Sequence, residues 1–364
     1  MLTELEELVL CESFSADHQA VARSATTVAA QGSRWLDTAP ETLVIGGVTH
    51  LRWTFGVPRV LLVGHHDTVW PIGSLSIHPW SVEDGIARGP GVFDMKAGLV
   101  QMFHAVGSLD SLDGICILIT GDEEVGSRTS RELILESAQG CAAALVLEAS
   151  ADGGALKTVR KGVSRYDIAV RGRAAHSGLQ PEKGINAAIE AAHQILALAE
   201  LDALMREGRP HGPEATTITP TLVSAGTSGN TVPDLATIRV DVRAASAAAL
   251  TRVDELIRTL TVRTPGAHLT VEGGPHRPPL EHGSSAALFT SAQQAAARLG
   301  MEPLRAAAVG GASDGNLTAG AGVPTLDGLG AVGGGAHADD EHVVVSEMPL
   351  RAALLAELIS TVRG

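Results

Sequence analysis

Five stretches of this chain carry side chains suited to binding divalent cations, each read as lying at the carboxyl end of a strand. They are His65-His66-Asp67, the Asp94 of Gly89-Pro90-Gly91-Val92-Phe93-Asp94-Met95-Lys96, and Gly121-Asp122-Glu123-Glu124, followed by Leu147-Glu148 and the His337 of Gly333-Gly334-Gly335-Ala336-His337. Open α/β sheets place their sites at this end of the strands. Two imidazoles and three carboxylates match the nitrogen and oxygen donors that zinc prefers, with cobalt or manganese as substitutes. That is too many donors for one tetrahedral ion with an open position. They suit two ions sharing a bridging carboxylate and a bridging water, as in a two-metal hydrolase site. The His65-x-Asp67 spacing pairs a nitrogen ligand with a carboxylate able to orient its ring.

Each piece has a plainer reading when taken singly. His65 alone is a structural histidine, Asp94 a turn residue after Pro-Gly, and Glu123-Glu124 the acidic start of a helix. His337 in its glycine-rich loop reads as a surface residue. Glu148 resists such a reading, because a carboxylate that ends an apolar strand needs a partner. It is the ordered set that points to a metal site.

The positioning elements follow from hydrophobic periodicity. Arg59 to Val63, Ile115 to Thr120 and Ala143 to Leu147 are continuous apolar runs, as expected of parallel strands covered on both faces. Alternating with helices such as Ala97 to Leu109, they predict a doubly wound α/β sheet. Thr42 to Ile45 and Thr49 to Trp53 read as a hairpin around a Gly-Gly turn. From about Thr158 the pattern changes. Ser164 to Arg171 and Ala236 to Arg243 alternate apolar with polar, and helices are expected at Asn186 to Leu201 and Ser246 to Leu260. This β-α-β-β-α-β order predicts an inserted ferredoxin-like α+β domain over 160–274, with the chain crossing back at Gly273-Gly274-Pro275. Residues 1–159 and 275–364 then form the other domain. The glycines of 333–335 are expected to let backbone approach the site.

At 364 residues the chain is long enough for two cores, and a net charge of −14 argues against nucleic-acid or anionic-membrane partners. Its cysteines, Cys11, Cys116 and Cys141, are too few and too scattered for a disulfide framework. With no signal-peptide pattern and no apolar stretch of spanning length, a cytoplasmic enzyme is expected.

The ordered motifs from about Arg59 to His342 resemble the M20 family of metallopeptidases, most closely its glutamate carboxypeptidase branch. The resemblance implies two zinc ions bridged by Asp94 and a water, with His65 and Glu148 on one ion and Glu124 and His337 on the other. It implies Asp67 as the orienting carboxylate. Glu123, in a loop where its carboxylate can face the water while its neighbour binds metal, is the expected general base. The insert resembles the family's lid and dimerisation domain, so a homodimer is implied. Gly172-Arg173-Ala174-Ala175-His176-Ser177-Gly178 resembles the segment whose histidine, reaching from a second subunit, stabilises the oxyanion. Asn230-Thr231-Val232-Pro233 and Asp241-Val242-Arg243 resemble segments that bind the substrate carboxylate, with an Arg243–Asp ion pair as the alternative. Gly310 to Asn316, including Gly311 and Ser313, resembles a turn presenting amides to that carboxylate, or else a helix cap. Lys96 is expected to be structural or electrostatic, and His66 has no assigned role. His104, His193, His211, His268, His276, His282 and His342 match no ligand position.

The expected activity is release of a C-terminal amino acid, glutamate or a similar acidic residue, from a small peptide or N-acyl amino acid. The enzymatic alternative is an N-acyl-amino-acid deacylase of the deacetylase or desuccinylase type. An aminopeptidase of related fold and a non-catalytic peptide-binding module are the remaining alternatives.

Overall fold

The computed structural model describes residues 1–206 and 212–363, so His211 lies outside the described residues. The chain divides into two units. One comprises Met1–Val159, Leu280–Val309 and Ser313–Gly364, the other Arg160–Pro279 and Gly310–Ala312.

The first unit is built on a mixed six-stranded sheet in the order Glu41–Ile45, Val48–Phe55, Ile115–Thr120, Val60–His65, Ala143–Val146, Thr325–Leu326. The last four strands are mutually parallel, and the first two form the antiparallel hairpin at one edge. The apolar runs are continuous because both faces are covered. Leu62, Ile117 and Leu145 face the helices His18–Leu36, Ala97–Gly107 and Glu347–Arg363. Leu61, Val63 and Leu118 face Arg131–Ala138 and Gly315–Gly320 on the other side. Each such side chain, fully buried, contributes about 1.5–3 kcal/mol relative to exposure. Cys116 and Cys141 are buried free thiols, and Cys11 is a half-buried one. Among the described residues no helix is long and apolar enough to cross a membrane.

The helix Ala97–Gly107 packs hard against the strand end that leads to Glu148. A Cβ on Gly98 would stand 2.2 Å from the Leu147 carbonyl oxygen, so only glycine permits that approach.

The second unit has one antiparallel sheet, ordered Thr217–Ala225, Leu235–Ala244, Gly162–Arg171, His268–Arg277. With helices Ala187–Met205 and Ala247–Arg258 it follows the β-α-β-β-α-β order. Tyr166, Ile168 and Val170 pack with Ile238, Val240, Leu198 and Val253 in its core. Arg165, Asp167 and Arg171 alternate with them and are exposed.

Two local expectations are corrected. The chain does not leave the sheet at Gly273-Gly274-Pro275, because these residues pair with Tyr166, Arg165 and Ser164 and the strand runs on to Arg277. A proline is tolerated there because this is an edge strand. Gly333 and Gly334 do not serve a close approach of backbone to the site. They form a strand against His342–Val344, and a Cβ on Gly333 would meet the His342 carbonyl oxygen at 2.0 Å. That pair belongs to a small sheet with Ile86–Arg88 and Ser81–Glu83, whose two- and three-residue strands are too short to show a period.

Candidate metal centre

His65 is the last residue of its strand, and its ring is fixed from behind. Nδ1 lies 3.0 Å from the Asp67 main-chain oxygen and 3.5 Å from the Asp67 Oδ1. With Nδ1 donating, Nε2 is left as the accepting nitrogen of a neutral imidazole. Nε2 lies 3.2 Å from Asp94 Oδ1 and 3.6 Å from Glu148 Oε1. On the far side of Asp94, Oδ2 is 3.3 Å from His337 Nε2, which is also 3.1 Å from Glu124 Oε1. His65, Asp94 and Glu124 therefore offer donor atoms within 4.8 Å of one another, as do His65, Glu123 and Glu148. Asp94 stands between the two imidazoles, one carboxylate oxygen turned to each.

The loops are held by groups the metal-type residues do not include. Asp67, fully buried, accepts the Ser15 hydroxyl at 2.7 Å and the amides of Glu123 and Glu124, both at 3.2 Å. Its carboxylate thus sets the height of the Glu123-Glu124 turn. Asp122 closes the same loop, accepting from the Thr129 amide at 2.7 Å, the Thr129 hydroxyl at 2.9 Å and the Ser130 hydroxyl at 2.5 Å. His337 sits at φ 63°, a left-handed conformation that turns its ring back toward Asp94. Glu341 accepts the amides of Gly91, Phe93 and Asp94 and the indole of Trp70. Sequence reasoning missed Asp122 and Glu341. Nothing in an acidic run such as Asp339-Asp340-Glu341 marks which member turns inward.

The charges of the site press on one another. Against burial, which favours the neutral acid, the imidazoles of His337 and His65 hold Asp94 well below the usual carboxylate range. Burial pushes Glu124 up to about 7, the neighbouring Asp94 charge adds to this, and His337 opposes it. Hydrogen bonds to Asp94 and Glu124 push His337 up to about 10. Carboxylates crowded in this way favour protons or cations beside them. Divalent ions displace such protons, and a donor set of imidazoles and carboxylates is the one that binds zinc, cobalt or manganese. The residues present fit the group.

His66, one residue past the strand, turns to the Val48–Phe55 strand instead. Its Nε2 lies 3.1 Å from the Thr49 carbonyl oxygen, and complete burial lowers it to about 4. It is a neutral packing residue. Lys96 is also buried, donating to the Cys11 carbonyl at 3.1 Å, and burial lowers it to about 8.

The remaining predicted residues divide between the units. In the second unit, Ala175–His176 pairs with Thr231–Val232, and the Ser177 amide donates to the Asn230 carbonyl at 3.0 Å, which brings His176 and Asn230 together. His176 Nδ1 accepts the Gly178 amide at 3.1 Å, so the neutral ring presents Nε2–H as an outward donor. Arg243 grips Asp241 with two nitrogens, at 2.8 and 3.2 Å, which is the ion-pair alternative. Gly311 accepts from Arg160 through its carbonyl at 3.1 Å. In the first unit, Ser313 is fully buried, donating to Asp327 at 2.5 Å and accepting the Gly315 amide at 3.1 Å. Its hydroxyl serves the start of a helix.

His65, Glu123-Glu124 and Glu148 follow parallel strands of the main sheet, while Asp94 and His337 come from segments after the short strands of the small antiparallel sheet, and together they make the donor set of a metal-dependent hydrolase. The chain belongs to peptidase family M20/M25/M40, whose family description matches residues 61–361. It is 29% identical to carboxypeptidase G2 of Pseudomonas sp. (strain RS-16), over 99% of this chain and 88% of that protein. The M20 family metallo-carboxypeptidase Sso-CP2 from Sulfolobus solfataricus superposes with a TM-score of 0.76 at 16% identity, covering 100% of this chain and 99% of that one. The Bacillus subtilis YXEP protein, described as a dinuclear metal binding peptidase from the M20 family, gives 0.66 at 17% identity, covering 99% and 97%. These likenesses agree with an α/β fold carrying an inserted antiparallel sheet.

Proposed function

We propose that this chain is a two-metal amidohydrolase of carboxypeptidase type, releasing a C-terminal amino acid from an N-acyl or dipeptide-like substrate. One observation carries the reading. Asp94 turns Oδ1 to His65 at 3.2 Å and Oδ2 to His337 at 3.3 Å, the disposition of a carboxylate shared between two cations. On this reading His65 and Glu148 hold one ion, Glu124 and His337 the other, and Asp94 both. Zinc fits the donor set best, with cobalt or manganese as substitutes. The ions supply Lewis acidity, lowering the pKa of a water and polarising the scissile carbonyl.

The chain's own residues do the rest. Glu123 takes a proton from the attacking water on its carboxylate and delivers it to the nitrogen of the leaving amine. Asp67 holds His65 in the tautomer with Nδ1–H and keeps the Glu123 amide in place. On the family resemblance, His176 reaching from a second subunit would offer its ring to the developing oxyanion, and Asn230, whose carbonyl accepts the Ser177 amide, would meet a substrate carboxylate. Arg243 acts on that carboxylate only by exchanging its Asp241 partner, so we assign it the lesser part. Glutamate as the released residue is the first candidate, on the resemblance of the motifs to the glutamate carboxypeptidase branch of the family.

After reconstitution with zinc, cobalt or manganese, N-acyl glutamates and other N-acyl amino acids are expected to be hydrolysed along with N-blocked dipeptides. Cleavage confined to short acyl amides of basic amino acids would replace the carboxypeptidase with a deacylase. Removal of residues from the amino end of unblocked peptides would indicate an aminopeptidase.

The second unit, read as the lid and dimerisation domain over 160–274, also supports a homodimer. Its edge strand Thr217–Ala225 leaves Leu222 60% and Val223 50% exposed, and Leu196 on the helix Ala187–Met205 is 59% exposed. Open edges of this kind pair readily with a second copy. Sedimentation equilibrium should give twice the chain mass, and a monomer throughout the micromolar range would sink the assignment.

A further inference from the structure

Glu341 lies outside every ligand set above, yet it is among the most fully engaged carboxylates in the first unit. It is 3% exposed. Its Oε1 accepts the Phe93 amide at 2.9 Å and the Asp94 amide at 3.0 Å, while Oε2 accepts the Gly91 amide at 3.0 Å and the Trp70 indole at 2.6 Å. Four N–H donors fill the roughly four lone-pair sites of an ionised carboxylate. Lys96, buried nearby, interacts with the same charge. Gly91, at φ 71°, makes the turn that aims these amides inward, and a Cβ there would stand 2.5 Å from Thr68 Cγ2.

The loop that carries Glu341 also carries His337. Two main-chain bonds fold the stretch between them, from Ala338 to the Gly335 carbonyl at 2.9 Å and from Glu341 to the Ala338 carbonyl at 3.0 Å. Both side chains converge on one residue. His337 Nε2 reaches the Asp94 carboxylate at 3.3 Å, and Glu341 holds the Asp94 amide. We infer that Glu341 is the positioning residue of the metal centre: it clamps the Gly91–Asp94 loop by its amides, so that Asp94 and His337 are set relative to each other by a single segment.

This inference rests on the two-metal reading for its consequence but not for its contacts, and the test separates the two. In Glu341→Gln the shape is kept, but the amide NH2 must face N–H donors where an oxygen accepted two. Hydrogen exchange on the metal-free full chain should become faster at Gly91, Phe93 and Asp94. Zinc affinity, measured by chelator competition, should fall about 10- to 100-fold for both ions, the range found when groups behind metal ligands are removed. Trp70→Phe, which removes one donor and leaves the amides in place, should weaken zinc in the same direction by a smaller factor. A merely structural glutamate would lower the melting temperature of the metal-free protein and leave the zinc Kd unchanged. Wild-type affinity in both variants, or in Trp70→Phe alone if Glu341→Gln does not fold, overturns the inference. A wild-type chain that takes up no zinc overturns the two-metal reading instead, and the exchange rates then decide the clamp by themselves.

Discussion

Glu123→Gln is expected to lower kcat by about 10²- to 10⁴-fold, the usual contribution of a positioned general base, while both metal ions stay bound. The substitution keeps the side chain's length and its backbone bond. The Glu123 amide donates to Asp67 Oδ1 at 3.2 Å, and that bond does not depend on the side chain. What is lost is the ability to accept a proton from water and return it to the leaving nitrogen. The competing outcome is built into the geometry, because His65, Glu123 and Glu148 also present donor atoms within 4.8 Å. If elemental analysis of Glu123→Gln shows one ion missing, Glu123 is a ligand. If turnover is undiminished with both ions present, the base lies elsewhere.

Asp94→Ala should fail differently, retaining neither ion. Without it the two halves of the centre keep one imidazole and one carboxylate each, His65 with Glu148 and His337 with Glu124, short of the four-coordinate sphere zinc requires. Elemental analysis and thermal melts of the variant with and without zinc report the outcome. Retention of a single ion would show that Asp94 serves one position only, and the bridging assignment would fall.

How much of this could be read from the residues depended on how far each signal is local. The parallel strands were legible because burial on both faces leaves no polar interruption in Val60-Leu61-Leu62-Val63 or Ile115-Cys116-Ile117-Leu118. The inserted sheet was legible for the opposite reason, since Tyr166, Ile168 and Val170 alternate with exposed Arg165 and Asp167. Metal-type residues stood out because carboxylates and histidines at strand ends are costly to leave unpartnered. The contacts that hold those residues were not legible. Glu341 is separated from the Gly91 amide it accepts by 250 positions, and no short-range pattern encodes such a partnership. Ser313 and Arg243 each suited two roles, and their partners, Asp327 and Asp241, could not be read from the chain. The exit from the inserted sheet was misplaced because Gly-Gly-Pro is a turn signal by composition, and edge pairing overrides it.

The parallel pairing of Thr325–Leu326 with Ala143–Val146 has a consequence for how the centre relates to chain connectivity. A cation gripped by Glu124 and His337 ties together points 213 positions apart, whereas one gripped by His65 and Asp94 ties points 29 apart. In a free chain the longer tie would cost about 2 kcal/mol more in closure entropy. Here the sheet has already closed that circuit by hydrogen bonding its outermost parallel strand beside the strand that leads to Glu148. The hydrogen bonds of the sheet thus share a closure cost that such a tie would otherwise carry alone.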